Sequence, residues 1–446
     1  MTTDAVTPSP ALPDSALSKR LPRTAYVLLW FPLSSETFIF REVQRLAALG
    51  MPLRVYTMYG QQLRGSSEEM RRCPLPVLRL GAKSTFRILG AFFRALGRDP
   101  GAVWQLMRKG LFRRIRNLES LGENVWCFLA GFLLAEQARR DKVELLHSAW
   151  GNGCATAVWV ASRVSGIPFA FTGRAGDIYP EDGILREKCR DALFIRTNNL
   201  TNVPWLQSFC PPDEQDKVHA VYNGLTLAGR TECEMPFTPP FRLLAVGRFC
   251  RTKGFPELLT MMARLRRECV AVRLTLVGDG GWRRKLHAMR RRLGLDDVVD
   301  MPGFVPNDRI REYMHSHDML IVPSVVHANG DRDGIPNVIM EALSCRMPVI
   351  ATDVCGIREV IEDGVTGLLI PQRDPAALAD AVRRMLADRQ AAQRMAEAGR
   401  ERVLAMFDSE KNIRQLAELY AEQYADWQAS RPDVWLFTRG LPPQDA

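Results

Sequence analysis

Short apolar runs alternate with stretches in which apolar residues recur at helical spacing, along both halves of the chain. A strand buried on both faces reads as a continuous apolar run, whereas a helix packed on a sheet shows one apolar stripe. In the first half, the predicted strands lie near residues 24–31, 52–58, 143–147, 167–172, 192–196 and 218–222. The alternation predicts an α/β fold built on parallel sheets.

Length and composition favour two domains. The chain has 446 residues, which is more than one core usually holds, and 46% of its residues are hydrophobic, which is enough to bury two cores. Proline and polar residues indicate a linker, and apolar residues at helical spacing predict a long helix after the second domain. The predicted segments are a disordered N-terminal segment 1–22, a first domain 23–225, a linker 226–240, a second domain 241–405, a helix within 406–429 and a tail 430–446.

A loop rich in turn and cap formers follows the apolar run 318–324 and leads into apolar residues at helical spacing. This pattern predicts a buried strand, a loop and a helix that begins near Ile335 or Pro336. The free backbone N–H groups of the first turn, those of Asn337 and Val338, combine with the helix dipole. Together they favour a bound anion such as a phosphate.

Two acids, Asp333 and Glu341, flank that helix start. Glu341 lies about one turn inside the helix, where a carboxylate can accept hydrogen bonds from two neighbouring hydroxyls of a ribose. In the alternative interpretation, Asp333 caps the helix and Glu341 is a solvated face residue. The acid pair alone leaves both interpretations open.

The segment 241–259 reads as an apolar strand, a turn, a basic loop and a helix. Arg248 and Lys253 emerge where the strand ends, and open α/β sheets bind ligands beyond the carboxyl ends of their strands. Gly247 and Gly254 let the backbone turn closely, so the two cations suit a diphosphate. Taken alone, the same residues could be solvated surface charges of a basic chain.

Several motifs of the second half stand in a characteristic order. GRFCRTKG occupies 247–254, LTLVGDG 274–280 and MPGFVP 301–306, and an acid-bearing motif over 331–352 is followed by GIREVIEDGVTGLLI at 356–370. Together they resemble the Gly-Arg…Lys-Gly signature, the base-bordering loop and the acid motif of the retaining family 4 glycosyltransferases of the GT-B fold. The resemblance covers nearly the whole second half.

The first half resembles the family more thinly, through WFPLSSETFIFREVQRL at 30–46. This segment is similar to members that build bacterial exopolysaccharides, such as the colanic acid type, in which the turn after the first strand faces the acceptor. Here that turn contains Ser35, Glu36, Thr37 and Phe38. Alternatively, a serine of the turn caps the following helix, and the two interpretations are compatible.

The resemblance implies two Rossmann-like domains that face a central cleft, the first on the acceptor side and the second binding the nucleotide sugar. It implies that the helix within 406–429 crosses back onto the first domain. The donor is expected to be a UDP- or GDP-linked sugar, bound as a substrate, with no cofactor and no essential metal. A donor phosphate oxygen takes the acceptor proton in a same-face substitution, so no protein nucleophile is required.

The resemblance also assigns site residues. The catalytic candidates are Arg248, Lys253, Asp333 and Arg174. The donor-binding candidates are Gly247, Arg248, Lys253, Phe304, Val305, Asp333, Gly334, Ile335, Pro336, Asn337, Val338 and Glu341. The acceptor-side candidates are Ser35, Glu36, Thr37, Phe38, His147 and Asp177, and no metal ligand is predicted.

Two positions depart from the family pattern. Asp333 stands where the family usually has glutamate, which keeps the charge but shortens the reach. Arg174 stands where many relatives have a histidine near the transferred sugar. Its guanidinium stays protonated and cannot act as a general base, although it can bind a phosphate or a sugar hydroxyl. Nearby, Asp177 could equally cap a turn, and a lone histidine such as His147 is more often structural.

The net charge of +10 is concentrated in residues 83–118, where nine Lys or Arg and one acid are interleaved with apolar residues. This basic amphipathic insertion predicts either helices that lie on an anionic membrane surface or a helix pair packed on the first domain with a solvated basic face. A lipid-linked saccharide acceptor would suit the first interpretation. No nucleic-acid-binding module is recognisable, so no nucleic acid partner is expected.

The ten cysteines are irregularly spaced and lack a Cys-x-x-Cys pair, which predicts reduced core thiols. Residues 1–22 have no apolar core, so no secretory signal is predicted, and the apolar stretch 125–135 is too short to span a bilayer. These features predict a cytoplasmic protein, peripheral on the inner face of the plasma membrane.

The sequence favours a retaining, metal-independent hexosyltransferase that adds a hexose to a lipid-linked saccharide in bacterial exopolysaccharide or cell-surface glycan synthesis. Three other functions stay open. A GT-B sugar-nucleotide epimerase would convert the donor without an acceptor. A non-catalytic nucleotide-sugar-binding protein would neither transfer nor hydrolyse the donor. A membrane-surface scaffold would use the basic helices alone and ignore nucleotides.

Overall fold

The structure is a computed structural model that describes residues 15–33, 36–60, 68–112, 121–180, 182–224 and 237–430. The described chain divides into two compact units. Within the described ranges, the first unit contains residues 15–198, 203–224 and 409–430, and the second contains 199–202 and 237–408. Most of the predicted linker and the predicted tail lie outside the described residues.

A parallel sheet forms the centre of the first unit. Its strands are β1 (Thr24–Leu28), β2 (Leu53–Thr57), β3 (Val77–Arg79), β4 (Leu145–Ser148), β5 (Phe169–Gly173), β6 (Ile195–Thr197) and β7 (Val218–Ala220). Their order is β3-β2-β1-β4-β5-β6-β7, with every neighbouring pair parallel. The six predicted strands all have a counterpart. The sequence pattern misses β3, because three half-buried residues give too short an apolar run.

Both faces of this sheet are covered by apolar side chains. Ala25 and Val27 lie in one core and Tyr26 and Leu28 in another, because successive side chains of a strand point to opposite faces. The helices before β8 are α1 (Ser15–Ser18), α2 (Thr37–Ala48), α3 (Glu68–Arg71), α4 (Thr85–Arg98), α5 (Pro100–Gly110), α6 (Leu121–Arg140), α7 (Gly153–Ser165), α8 (Leu185–Asp191) and α9 (Asn202–Gln207).

The predicted basic insertion contains α4 and α5, and its residues 113–118 lie outside the described residues. Ile88 of α4 and Val103 of α5 are buried, and α4 packs on α6. Phe86 and Trp104 of the same two helices remain exposed. The insertion therefore packs on the first unit and still presents aromatic rings to solvent. In the described part of the chain, no helix has the length and apolar character needed to cross a membrane.

A second parallel sheet forms the centre of the second unit, and the predicted α/β class with parallel sheets is confirmed. Its strands are β8 (Phe241–Val246), β9 (Val272–Val277), β10 (Val299–Gly303), β11 (Met319–Val322), β12 (Val349–Thr352) and β13 (Leu368–Ile370), in the order β10-β9-β8-β11-β12-β13. Its helices are α10 (Phe255–Arg267), α11 (Arg283–Arg292), α12 (Asn307–Ser316), α13 (Asn337–Ser344), α14 (Ile357–Val360), α15 (Pro375–Ala387) and α16 (Arg389–Met406).

The helix α17 (Ser409–Ser430) follows the second unit in sequence but belongs to the first. Its residues Leu416 and Tyr420 are buried in one core with Val43 of α2. Leu17 lies in the same core, so α1 corrects the prediction that all of residues 1–22 are disordered. An apolar contact that the local sequence does not reveal orders the end of that segment.

We predict that Gly254→Ala destabilises the second unit by more than about 2 kcal/mol, against about 1 kcal/mol for Gly294→Ala. Both glycines have a left-handed backbone, with φ values of +60° and +63°, but a Cβ atom at 254 would lie 1.7 Å from the Pro323 carbonyl oxygen. At 294 the added atom meets nothing within 4 Å. Urea unfolding measures both variants, and equal losses would contradict the steric explanation.

Candidate functional site

The turn after β8 positions two cationic side chains. A Cβ atom at Gly247 would lie 3.4 Å from the Cδ atom of Lys253, so the lysine stem runs against the glycine. Arg248 is exposed beside it. Gly254 then turns the chain into α10 through its left-handed conformation. This backbone path leaves Arg248 and Lys253 beyond the carboxyl end of β8.

Lys253 is tied to the loop that follows β11. Its Nζ atom donates a hydrogen bond of 2.9 Å to Oδ1 of Asp333, and the Ser324 hydroxyl donates to the other carboxylate oxygen. Both charged side chains are largely buried, with 19% of the lysine and 15% of the aspartate exposed. A second ion pair joins Arg251 and Asp331 at 3.3 Å. The basic turn and the acidic loop are therefore joined by two ion pairs.

The helix α13 presents its amino-terminal end next to this acidic loop. It begins at Asn337, with Pro336 in the N-cap position, so the predicted start at Ile335 or Pro336 is within two residues. Among the described residues, the N-cap residue Pro336 makes no side-chain cap bond, and Asp333 bonds to Lys253 and Ser324 instead, so the interpretation of Asp333 as the cap is wrong. The N–H groups of Asn337 and Val338 are thus orphan donors of the kind that bind anions.

The other donor-side candidates lie on the same sheet edge. Phe304 follows β10 and its ring is 60% exposed, while Val305 beside it is half-buried. Gly334 belongs to the loop before α13, and Glu341 lies half-buried one turn inside that helix. Because β8, β10 and β11 run parallel in one sheet, the segments after them meet at one edge, where α/β proteins bind ligands.

A phosphate-bearing ligand can be held by Arg248 and Lys253 together with the first turn of α13. They combine two cations with oriented backbone donors. Within the described ranges, no group of three or more His, Cys, Asp or Glu side chains could hold a metal ion.

In the first unit, Arg174 follows β5 and is 4% exposed. Its Nη1 atom donates to the Asn223 Oδ1 atom at 3.0 Å, and its Nε atom donates to the Ala149 carbonyl at 3.4 Å. Its Cζ atom lies 4.7 Å from the centroid of the Phe38 ring and 5.3 Å from that of the Trp150 ring. Protein groups therefore hold the guanidinium on several sides. Its contact with the donor sugar stays a prediction.

The predicted acceptor turn is only partly within the described residues, since Ser35 lies outside them. Glu36 is the N-cap residue of α2, although its side chain makes no capping hydrogen bond, and Thr37 begins the helix. Phe38 lies in the first helical turn and is half-buried. Its ring contacts the guanidinium of Arg174.

Asp177 joins two turns of the first unit. Its Oδ1 atom accepts N–H bonds from Arg174 and Ala175 at 2.9 and 3.0 Å, and its Oδ2 atom accepts one from Gly151 at 2.6 Å. Burial raises the pKa of the Asp177 carboxyl, although these backbone N–H groups oppose the rise. The carboxylate thus has the contacts of a turn cap, and its contact with a substrate hydroxyl stays a prediction.

His147 lies inside β4 and packs between two tyrosine rings. The ring centroids of Tyr26 and Tyr420 are 5.0 and 5.3 Å from that of the imidazole. The Nε2 atom lies 3.1 Å from the Thr172 hydroxyl. Burial lowers the pKa of His147 to about 3, so the imidazole is neutral at pH 7.

Glu42 and Arg196 form a buried ion pair in the first unit, which the sequence pattern does not predict. Oε2 of Glu42 accepts from Nη1 of Arg196 at 2.5 Å, and Oε1 accepts from the Tyr26 hydroxyl at 2.5 Å. Burial acts to raise the pKa of the Glu42 carboxyl, but the charges of Arg196 and Arg174 outweigh it and hold that pKa below its usual value. Asn223 accepts hydrogen bonds from both arginines.

Residues 236–402 match the family model described as glycosyl transferases group 1. The chain contains a glycosyl transferases group 1 domain. This domain includes the basic turn with Arg248 and Lys253, the acidic loop with Asp333, and α13.

Curated relatives extend the match over most of the chain. WcaL of Salmonella typhimurium, a glycosyltransferase assigned provisionally to colanic acid biosynthesis, is 24% identical over 414 residues, covering 89% of this chain and 99% of WcaL. The amylovoran biosynthesis glycosyltransferase AmsK of Erwinia amylovora is 32% identical over 180 residues, which cover 40% of this chain and 44% of AmsK. The sequence similarity therefore reaches beyond the group 1 domain.

Solved structures share the fold. Anabaena Alr3699/HepE in complex with UDP and glucose has a TM-score of 0.67 at 18% identity, covering 89% of this chain and 98% of that one. Sucrose-phosphate synthase from Thermosynechococcus elongatus has a TM-score of 0.69 at 20% identity, covering 90% of this chain and 99% of that one. The chain has the GT-B fold, as the resemblance of its motifs implies.

The stability of the protein should fall as the pH drops from about 6.5 towards 4, in part through His147. With a folded pKa of about 3, the imidazole stays neutral in this range, whereas the unfolded histidine gains a proton near its ordinary pKa of about 6.5. The unfolded state then binds more protons, which costs up to about 1.4 kcal/mol per pH unit. Urea unfolding should show a shallower pH slope for His147→Gln, and identical slopes would contradict a neutral buried imidazole.

Proposed function

We propose that the protein is a retaining hexosyltransferase that uses a nucleoside diphosphate sugar to extend a lipid-linked saccharide in exopolysaccharide or cell-surface glycan synthesis. One observation carries this proposal. Within a glycosyl transferases group 1 domain, Arg248, Lys253 and the uncapped start of α13 lie on the carboxyl edge of one parallel sheet. Such an edge suits the leaving diphosphate of a sugar nucleotide. Similarity to WcaL over 89% of the chain supports the polysaccharide context.

In the proposed reaction, the two cations and the helix start stabilise negative charge that develops on the diphosphate. Preorganised charges of this kind act strongly because they need not reorient during the reaction. Lys253 is already fixed by its 2.9 Å hydrogen bond to Asp333. A donor phosphate competes for the lysine, and the Asp333 carboxylate then becomes available to the hydroxyls of the donor sugar.

The rest of the donor has proposed contacts on the same sheet edge. The exposed ring of Phe304 and the adjacent Val305 border the base, and Glu341 accepts hydrogen bonds from the ribose hydroxyls. The presence of UDP and glucose in the HepE structure supports a UDP-linked donor, with a GDP-linked donor as the alternative.

The proposed transfer is a same-face substitution at the anomeric carbon. The bond from that carbon to the donor phosphate oxygen breaks, and a bond to the acceptor hydroxyl oxygen forms on the same face. The acceptor proton passes to an oxygen of the leaving phosphate. No protein nucleophile takes part, and Arg248, Lys253 and α13 supply the charge stabilisation without a metal ion.

A lipid-linked acceptor gives a use for the basic insertion of the first unit. Phe86, Phe93 and Trp104 are 89%, 61% and 57% exposed, which is unusual for large apolar side chains. Arg87 and Arg98 lie on α4 with the first two rings. We propose that this face lies on the anionic cytoplasmic surface of the plasma membrane, where aromatic rings insert and cations meet lipid headgroups.

Lys253→Ala should lower the rate of sugar transfer and of slow donor hydrolysis by about 100-fold or more. It removes a fixed cation and leaves Asp333 without its ion-pair partner next to the diphosphate. UDP- and GDP-linked hexoses, tested first by thermal shift and then by donor hydrolysis, identify the donor for this comparison. Donor hydrolysis at the wild-type rate would contradict the phosphate role.

Lys285→Ala is the matched control, because this exposed lysine of the same domain stacks on the Trp282 ring at 3.8 Å and is not one of the proposed donor contacts. It should keep wild-type turnover.

Conversion of the donor without an acceptor would indicate an epimerase, and nucleotide binding without transfer or hydrolysis would indicate a binding protein. Either result would overturn the proposed transfer.

The double variant Phe93→Ser, Trp104→Ser should lose binding to phosphatidylglycerol vesicles in a flotation assay, because it removes two exposed rings from the membrane-facing side. Wild-type binding should weaken with added salt and on phosphatidylcholine vesicles. Val365→Ser, at an apolar residue of the second unit that is also exposed, is the control and should float like wild type. Equal flotation of the double variant would refute this membrane contact.

A further inference from the structure

Three residues at the carboxyl edge of the first sheet form one cluster. Trp150 lies two residues after β4, and Arg174 lies one residue after β5, which pairs with β4. Phe38 lies at the start of α2, the helix that follows β1, and β1 is the other neighbour of β4. Three adjacent parallel strands therefore bring the two rings and the guanidinium together on the edge where α/β sheets bind ligands.

The Arg174 guanidinium contacts both rings. Its Cζ atom is 4.7 and 5.3 Å from the ring centroids of Phe38 and Trp150, within the range of cation–π contacts, and those centroids are 6.3 Å apart. The guanidinium also donates hydrogen bonds to Asn223 and to the Ala149 carbonyl. The hydrogen-bonded guanidinium thus lies against two rings whose planes are 76° apart.

Arg174 is 4% exposed, whereas Phe38 and Trp150 are half-buried. A substrate at this edge therefore meets the rings and not the guanidinium. The face of a pyranose that carries axial C–H bonds is apolar and flat, so it packs on an aromatic ring while its hydroxyls stay hydrated. These rings therefore suit a sugar. An anion would instead need the Arg174 guanidinium to be exposed.

We propose that Phe38 and Trp150 form an aromatic subsite for a pyranose ring of the acceptor saccharide, and that Arg174 is its positioning residue. The subsite rests on the proposed glycosyl transfer, since it names the acceptor contact of that reaction. It gives Arg174 a role in orienting the rings in place of direct contact with the transferred sugar.

Saturation-transfer NMR with octyl β-D-glucopyranoside, octyl β-D-galactopyranoside and octyl α-D-mannopyranoside, each below its micellar concentration, tests the subsite on the full chain. Wild type should bind at least one of them, and Trp150→Leu should bind it about tenfold more weakly. Trp150→Phe keeps a ring and should retain most of the binding. Trp427→Leu, at a half-buried tryptophan stacked on Tyr424 in α17, is the matched control and should bind like wild type.

Arg174→Lys separates positioning from donor binding. Lysine keeps the charge but lacks the planar fork that stacks on both rings, so pyranoside binding should fall while the thermal shift produced by UDP stays at the wild-type value. In the transfer assay, the KM for the acceptor should rise while the KM for the donor stays unchanged. A donor contact by Arg174 predicts the opposite pattern.

Three results would overturn the proposal. These are a wild-type protein that binds none of the three pyranosides, a Trp150→Leu variant that binds them as wild type does, and an Arg174→Lys variant that loses the UDP shift. The first two leave UDP binding intact, so they refute the subsite without refuting the sugar-nucleotide site. Failure of wild type to bind any sugar nucleotide would instead refute the proposed function.

Discussion

The ion pair between Lys253 and Asp333 is the constraint on which the arrangement of the second unit's sheet edge depends. It joins the turn after β8 to the loop after β11, with less than a fifth of either side chain exposed. An ammonium so far removed from water needs an anionic partner at all times. The aspartate supplies that partner within the protein and keeps the lysine at the sheet edge where we propose that a diphosphate binds. Lys253, the glycine that contacts its stem and the start of α13 therefore lie together on one edge of the sheet.

The predictable parts of this site are those with local signals. Strand ends, turn glycines and the proline before α13 are visible within a few residues of sequence, so the positions of Lys253 and Asn337 followed from the pattern. The direct pairing of Lys253 with Asp333 did not follow, because it depends on how two loops 80 residues apart meet. The motif predicts that both residues lie near the donor, but it does not show that they bind each other.

The first unit shows the same limit more strongly. Glu42 pairs with Arg196 across 154 residues, and Arg174 reaches Asn223 across 49. In a chain with 60 basic side chains, no spacing rule identifies which arginines are buried or which acid compensates them. Two buried guanidinium groups around one buried carboxylate are costly unless hydrogen bonds hold each of them. That requirement explains why Asn223, Val221 and Ala149 accept hydrogen bonds from the two arginines.

The position of α17 has a consequence for how the chain matures. The core around Val43 and Tyr26 is completed by Leu416 and Tyr420, which leave the ribosome after the whole second unit. While synthesis proceeds, domains tend to fold in order from the amino terminus. Here the first unit cannot complete its core until α17 is made, so one apolar face of α2 stays uncovered and the second unit can fold first. The core of the first unit is therefore completed only after the second unit has been made.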